Sequence, residues 1–458
     1  MRLEHTKGYC KPRLLEVVVV MRVPHEDIRW MPIHQPTTLP KKITPLIFEL
    51  IFSLSFLIIE AIELPTKSFF VDLLTNPLKA KSRLGFLGAG QLARMSGLQA
   101  FRYGIQIGVF SDRPENEPVQ FMTPFAQTGS FDSVDDMAKF ASTCDVLTLE
   151  NEFIGSDILK KAQAKSGTPI FPSPESFALI ENKQIEKQTF ENAGIPVTPY
   201  RLVKNETDLE AFGDEHGWPY LLKSSKGGYD GYGNETVADL TEAQNAFDNL
   251  GGNEGQDILA EAFVDFTHEL AVQVARNETG HEVYPCCETV QENHICVAVK
   301  SPAPVSEDVQ KRARELALKA TEAIDGKGIF AFEFFLTTDG EILLNESAPR
   351  PHNSGHYTIE GCITSQFENH VRAVLGLPLG SAELRAPAVA MINLLGTDKR
   401  DAQVDMSADA LAADDGHLHI YGKLDSRPGR KMGHFTLLGD DMRETYRKAN
   451  SLTEGYRI

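Results

Sequence analysis

From residue 81 onward the chain reads as a multi-domain α/β protein, and three observations carry that reading. Short apolar strands alternate with helical stretches, the pattern of a parallel sheet with crossover helices. Two Gly-rich segments, GAGQLARM and KGGYDGYGN, each follow an apolar strand. A hairpin that begins FAFEFF ends in LNESAPRPHNSGH and sets Glu333 on one arm against Glu346 on the other. At 458 residues the chain exceeds a single hydrophobic core and suits about three domains.

The elements follow in order. RLGFLGAGQLARM is a strand, a turn and the start of a helix, and IQIGVF is a second strand ending at Ser111 and Asp112. Residues 132–142 are helical, DVLTLE is a strand ending at Glu150, and the Pro-rich TPIFPSPESF closes this first domain. A helix over 184–193 is stopped by Gly194 and Pro196. The second unit holds the strand YLLKSS, the loop KGGYDGYGN, the strand TVADL, a helix over 242–250 and the strand DILAEAFV. The third has long alternating strands, HELAVQVARN and CVAVKS, a charged helix over 307–323 and the glutamate hairpin. A helix near 365–375 ends at Gly376, 386–395 is a strand, and HLHIYGKLDSRPGRKMGHFTLLG is two strands around a basic turn. The expected domains are 81–180, 181–265, 266–395 and a β-rich lobe over 396–458.

Residues 1–80 form an atypical N-terminal extension. They are Pro-punctuated up to Leu39, then carry the apolar run LIFELIFSLSFLIIEAI over 46–62. That run is a little short of the roughly 20 residues a membrane span needs, and it contains Glu49 and Glu60. It starts too far from residue 1 for a secretory signal. Three readings stay open: a tail packed on the body, a membrane tether, or translated sequence upstream of the true start. The rest of the chain offers no spanning segment, and a cytoplasmic location is favoured over tethering.

Charge narrows the function. Lys plus Arg is 45 against 64 for Asp plus Glu, a formal charge of −19. Nonspecific adhesion to nucleic acid or an anionic membrane needs the opposite sign, so any anion site must be a local cluster of Lys and Arg. The six cysteines lack metal spacing: Cys286 and Cys287 are adjacent, and Cys144, Cys296 and Cys362 are scattered. They fit free thiols in a reducing compartment.

Two carboxylates facing across a sheet are costly unless a cation lies between them. Hard oxygen ligands suit Mg²⁺, with Mn²⁺ as a substitute. Arg350 and His352 follow at once and suit an anion at the same place; the bland alternative is an acidic pair satisfied by lysines. Lys223 and Lys226 precede a loop whose glycines let a backbone approach phosphate oxygens. It is not a Walker loop, since no Lys-Ser/Thr pair follows the last Gly; its bland reading is a flexible hairpin tip. Gly88, Gly90 and Ala93 form GxGxxA, with Asp112 near the end of the next strand. Alone that predicts NAD, although many parallel folds use the same turn for packing. EAFV joins the second and third units, where a connecting strand can offer backbone groups to an adenine edge, or serve as a plain linker. Glu269, eight positions after Glu261, suits a ribose hydroxyl, and Lys183 suits phosphates. Arg427, Arg430, Lys431 and His434 in RPGRKMGH read as an anion site in an acidic protein, against the alternative of a solvated turn.

GAGQLARM, TLENE, KGGYDGYGN, EAFV, NESAPRPHNSGHYTIEGCITSQFE and YGKLDSRPGRKMGH, in that order between Arg83 and Leu438, together resemble the ATP-grasp superfamily. The match is to the N5-carboxyaminoimidazole ribonucleotide synthetases. The resemblance implies an α/β ATP-grasp fold with an N-terminal Rossmann-like (pre-ATP-grasp) domain, a lid subdomain and a metal-bearing subdomain. It implies ATP- and bicarbonate-dependent carboxylation of 5-aminoimidazole ribonucleotide through carboxyphosphate, in purine biosynthesis.

Residue by residue, the resemblance assigns ATP binding to Lys183, Lys223, Gly228, Tyr229, Asp230, Gly231, Tyr232, Gly233, Asn234, Glu261, Val264, Glu269, Asn345 and Glu346. It gives Glu333 and Glu346 the metal, and Tyr229, Arg350 and Lys431 a catalytic part. Gln91, Leu92 and Glu150 would face the ribonucleotide, with His352, Asn353, Ser354 and Arg430 framing its phosphate and the bicarbonate. It also implies a homodimer. Some members carry a fused mutase domain; this chain ends without one, so the mutase is expected as a separate protein. Two positions depart from the family. Residue 232 is Tyr where the loop often has Arg, and a His common near Gln291 is absent. The alternatives are another ATP-grasp ligase acting on a ribonucleotide or amine, formate-dependent or similar, and a catalytically inactive binding subunit.

Overall fold

The computed structural model describes residues 82–113, 117–119, 121–227, 233–406 and 408–458. The apolar run over 46–62 and loop residues Gly228, Tyr229, Asp230, Gly231 and Tyr232 lie outside the described residues. Among the described residues no helix is long and apolar enough to cross a membrane.

The first domain is a five-stranded parallel sheet. Its spatial order is Ala126–Thr128, Gln106–Ser111, Arg83–Leu87, Val146–Leu149, Ile170–Phe171. The central strands are buried along almost their whole length, which is why they read as unbroken apolar runs. Arg83–Leu87 lies between Gln106–Ser111 and Val146–Leu149, so the strand order reverses on either side of it. In such sheets ligands bind outside the carboxyl ends of the strands at this switch point. Leu87 and Leu149 are register partners. The GAG turn and Glu150 therefore emerge side by side.

The second unit is a four-stranded antiparallel sheet, Tyr200–Val203, Ile258–Ala262, Tyr220–Ser224, Asn234–Val237. It packs Tyr220 and Leu222 against Phe212 and Phe247 of the helices Glu206–His216 and Leu240–Asn249. The Gly-rich loop joins two of its adjacent strands. TVADL divides differently from the strand expected. The strand stops at Val237, and Asp239 caps a helix by accepting from the Glu242 N–H at 2.9 Å while the Glu242 carboxylate accepts from the Ala238 N–H. The short polar side chain competes for backbone donors and ends the strand.

The third unit is a nine-stranded antiparallel sheet. From one edge it runs Ile342–Ala348, Gly328–Thr337, Phe266–Asn277, Cys287–Glu292, Ile295–Ser301, Ala388–Leu395, Lys431–Gly439, Gly416–Ile420, with Gly280–Val283 also on Phe266–Asn277. The sheet is continuous across residue 395, because Ala388–Leu395 pairs with Ile295–Ser301 on one side and Lys431–Gly439 on the other. Helix Glu307–Ala323 buries Ala313, Leu316, Ala317 and Ala320 against it, and the capping Ser306 accepts from the Val309 N–H. The thiols of Cys144, Cys286, Cys287, Cys296 and Cys362 are free and buried.

Candidate active site

One cleft of about 660 Å³ collects residues from all the units. At one end stands the glutamate hairpin. Glu333 of Gly328–Thr337 and Glu346 of Ile342–Ala348 are register partners, and the ladder shifts between Glu333 and Phe334. That shift leaves Asn345 as the extra residue of a bulge, a device that re-aims side chains. Lys183 opens the helix Lys183–Asn192, whose cap Asn182 accepts from the N–H groups of Gln184 and Ile185. Helical spacing puts Lys183, Glu186 and Lys187 on one face. Lys183 Nζ lies 3.4 Å from Glu346 Oε2. Burial would raise the Glu346 carboxyl, but Lys183 and Lys223 outweigh it and hold it below its ordinary range. The same carboxylates, Glu346, Glu186 and Glu261, hold the Lys183 ammonium up against burial.

Behind this end lies a buried charge cluster. Glu261 Oε2 pairs with Lys223 at 2.8 Å and Lys187 at 3.4 Å. Burial works against its charge, yet Lys187 and Lys223 bring its pKa down to about 2. Lys223 is therefore neutralised by a carboxylate, and the Glu261 side chain is spent on lysines. Asn234 Oδ1 is buried with no hydrogen-bond partner among the described residues, as expected of an acceptor kept for something else.

In the middle of the cleft His352 Nδ1 lies 3.6 Å from Glu333 Oε1. Its protonation follows from its neighbours. Gln273 donates to Ser354 Oγ at 2.9 Å, Ser354 Oγ lies 2.8 Å from His352 Nδ1, and the Ser354 N–H also points at Nδ1. Nδ1 is an acceptor, which leaves the proton on Nε2. Burial and then the charges of Arg350 and Lys431 keep the ring neutral. Arg350 is gripped from the first domain: its Nη2 donates to Glu152 Oε1 at 2.7 Å and its Nε to Glu152 Oε2.

The far end holds Glu150 and the basic turn. Leu92 N–H donates to Glu150 Oε1 at 3.2 Å. The two glycines of the turn make room for this side chain. Gly88 has φ +112°, a Cβ there would lie 2.7 Å from the Glu150 Cβ, and one at Gly90 would collide with the carboxylate. The turn thus holds a carboxylate where a dinucleotide site holds pyrophosphate. Burial pushes Glu150 up to about 7, opposed by Arg350 and the Leu92 N–H. Facing it are Lys423, Arg427, Arg430 and Lys431. Lys423 Nζ donates to the Lys431 carbonyl at 2.7 Å, and burial with the nearby Arg430 charge lowers its pKa to about 8.

Of the residues expected here, Gln91, Leu92, Glu150, Lys183, Glu333, Glu346, Arg350, His352, Asn353, Arg430 and Lys431 line the cleft. The Asn353 amide is paired reciprocally with Asn393 at 2.9 and 2.7 Å, and Ser354 is buried behind His352. Lys223, Glu261, Val264, Glu269, Asn234 and Asn345 are set back from it. His434, read as part of the basic turn, is a buried neutral ring. It stacks on His419 at 4.4 Å and meets the Tyr421 hydroxyl at 2.9 Å, because it follows the turn on an inward position of Lys431–Gly439. Lys423, Glu186, Lys187 and Glu152 were missed. The spacing of Lys183 and Lys187 on one helix face was the one available signal for the lysine.

Three family models match the chain: the ribonucleotide synthetase preATP-grasp domain over 81–181, the ATP-grasp domain over 188–367, and the phosphoribosylaminoimidazole carboxylase C-terminal domain over 389–448. The N5-carboxyaminoimidazole ribonucleotide synthase of Mycobacterium tuberculosis is 36% identical over 80% of this chain and 86% of its own length. The chain belongs to the N5-carboxyaminoimidazole ribonucleotide synthetase family. The phosphoribosylaminoimidazole carboxylase of Ogataea methanolica is 40% identical over 80% of this chain, which spans 68% of that protein. An Aspergillus clavatus N5-carboxyaminoimidazole synthase, solved with ADP and 5-aminoimidazole ribonucleotide, superposes with a TM-score of 0.73 at 35% identity, over 81% of this chain and 98% of that one. The family's ATP-grasp and pre-ATP-grasp domains account for the α/β architecture of the sheets described above.

Among the described residues no group of three or more His, Cys, Asp or Glu forms a metal cage. The paired Glu333 and Glu346 instead suit a hard cation that takes its remaining ligands from phosphates and water.

Proposed function

We propose that this chain carboxylates the exocyclic amine of 5-aminoimidazole ribonucleotide with ATP and bicarbonate, releasing ADP and phosphate. The observation that carries the reading is the gathering of three sets of groups on one cleft. The acidic hairpin with Lys183, His352 with Arg350, and Glu150 with four basic side chains all line it.

Bicarbonate is a poor electrophile. Transfer of the γ-phosphoryl group to one of its oxygens gives carboxyphosphate and ADP, a step that needs charge neutralisation and alignment more than a protein nucleophile. Mg²⁺, or Mn²⁺ in its place, held by Glu333 and Glu346, would neutralise the phosphates of ATP. Lys183 adds positive charge there, Lys223 stands behind it in its pair with Glu261, and Asn345, Gly233 and Asn234 lie alongside, with the Glu261 backbone, Val264 and Glu269 toward the adenosine. Arg350 and the Nε2–H of His352 meet the carboxyphosphate. The amine then attacks its carboxyl carbon, or CO₂ released from it; a C–N bond forms, phosphate leaves and the amine gives up one proton. Glu150, held near 7, stands at the right end to take that proton. Lys423, Arg430 and Lys431 bind the phosphate of the ribonucleotide. Tyr229 and its loop, Gly228 to Asn234, exclude water from the intermediate. The protein works as a homodimer, and its product goes on to a mutase step.

The test is ADP release by the purified chain. Release that requires both bicarbonate and 5-aminoimidazole ribonucleotide is expected, and light scattering should give twice the chain mass. Equal release when formate replaces bicarbonate would point to a different ligase, and no release at all to a binding subunit.

A further inference from the structure

Arg350 and Glu152 come from different units, 198 residues apart, and meet through both oxygens of the carboxylate and both Nε and Nη2 of the guanidinium. Their side chains are 17% and 30% exposed, so the pair lies in the wall of the cleft and not on the free surface. Such a fork-to-fork contact fixes orientation as well as charge. Glu152 follows the strand Val146–Leu149 by three residues and Glu150 by two. Glu150 is a second carboxylate that feels the Arg350 charge.

We propose that Glu152 is a positioning residue for the carboxylation. It holds the Arg350 guanidinium at the centre of the cleft and keeps it from collapsing onto Glu150, so that phosphoryl transfer and capture of the carboxyl group by the amine stay coupled. The inference rests on the carboxylation reading above.

An arginine within reach of more than one carboxylate pairs with whichever offers the better fork. Glu152 presents both oxygens to it. If Glu152 loses its charge, Glu150 becomes the remaining anionic partner from the same segment. Two things then go wrong together. The guanidinium leaves the place where the intermediate forms, and the carboxylate that faces the amine is capped by a cation. The ATP end is not disturbed, because Lys183 and Glu346 are held by their own contacts.

The experiment is steady-state kinetics of Glu152→Gln with ADP and carboxylated product measured separately. The wild-type chain must first show bicarbonate- and ribonucleotide-dependent ADP release; failure there sinks the functional reading, not this inference. In the variant, product formation is expected to fall roughly ten- to hundredfold, the scale of a charge-assisted contact. The KM for ATP should hold, and product per ADP should drop below one. In an Arg350→Ala background the same substitution should cost nothing more, since residues acting through one another are not additive. Wild-type coupling in Glu152→Gln, a matching rise in the KM for ATP, or an undiminished effect in the Arg350→Ala background would each overturn the proposal. Should Glu152→Gln not fold, Arg350→Lys serves, since it keeps the charge but loses the fork. It should show the same uncoupling, and full coupling there also overturns the idea.

Discussion

Glu346 faces Glu333 across the hairpin and lies 3.4 Å from Lys183. Glu346→Gln keeps the shape and removes the charge, so it should lower turnover by more than about a hundredfold, the upper range seen when only an outer-shell partner of a metal ligand is lost. Near-normal ADP release from that variant would contradict the metal assignment. A ribonucleotide dianion entering a protein of charge −19 needs local positive charge, and Arg430, Lys431 and Lys423 are the basic side chains proposed to supply it. Arg430→Ala or Lys431→Ala should raise the KM for the ribonucleotide roughly ten- to hundredfold and leave the KM for ATP nearly unchanged. Equal losses for both substrates would mean the basic turn serves the nucleotide. The sequence exposed these residues because charge stands out in RPGRKMGH. It hid Glu152, a single charged residue whose partner Arg350 is 198 positions away, it did not single out Lys423 just before the turn, and it could not show that His434 turns inward.

The helix Gln366–Val374 carries His370, which ties two sheets together. The Ile329 N–H donates to its Nδ1 at 3.2 Å, and Nε2 lies 2.8 Å from Thr148 Oγ1, which itself donates to the Phe171 carbonyl. With Nδ1 accepting, the ring is neutral, and burial lowers its pKa to about 3. The sign follows. A folded pKa below the unfolded value near 6.5 means that the unfolded chain takes up a proton first as pH falls. The stabilisation is complete above about pH 6.5 and declines toward about pH 3, at up to about 1.4 kcal/mol per pH unit for one proton. His370→Gln should be less stable at pH 7 and should show a shallower loss between pH 6 and pH 4 in denaturant titrations. An unchanged slope would place the acid sensitivity elsewhere. Elements like this one were legible where apolar residues recur at helical spacing, as in the helix Glu307–Ala323. The helix Met442–Thr453 was not, because its buried residues are Thr445, Ala449 and Thr453, spaced by four but too polar or small to register as a stripe. Ser156–Ser166 escaped for a similar reason, burying little beyond Leu159 and Ala162.

At the scale of the whole molecule, alternation of strands and helices predicted the parallel first domain correctly, since a doubly buried strand leaves a plain apolar run. The C-terminal segment was harder to place. Strand composition says nothing of which sheet a strand joins, and Lys431–Gly439 joins the one that carries the glutamate hairpin. This continuity puts the basic turn and the glutamate hairpin on one sheet. It also bears on how much of the chain is needed for activity. The first described strand, Arg83–Leu87, is central in its sheet, paired on both sides. Arg83 itself is fastened by its N–H to Asp145, by its guanidinium to the Thr143 carbonyl, and by stacking over Phe125 at 3.6 Å. The match to the preATP-grasp domain begins at residue 81. Every cleft residue among the described residues lies after it. A chain lacking residues 1–79 keeps all of these contacts and is expected to be soluble, to unfold within a few degrees of the full-length chain, and to release ADP at the same rate with bicarbonate and ribonucleotide. An insoluble truncation, or one that has lost cooperative unfolding, would mean that the apolar run over 46–62 supports the body. Recovery of the full-length chain in the membrane fraction, with the truncated chain in the supernatant, would instead identify that run as a tether.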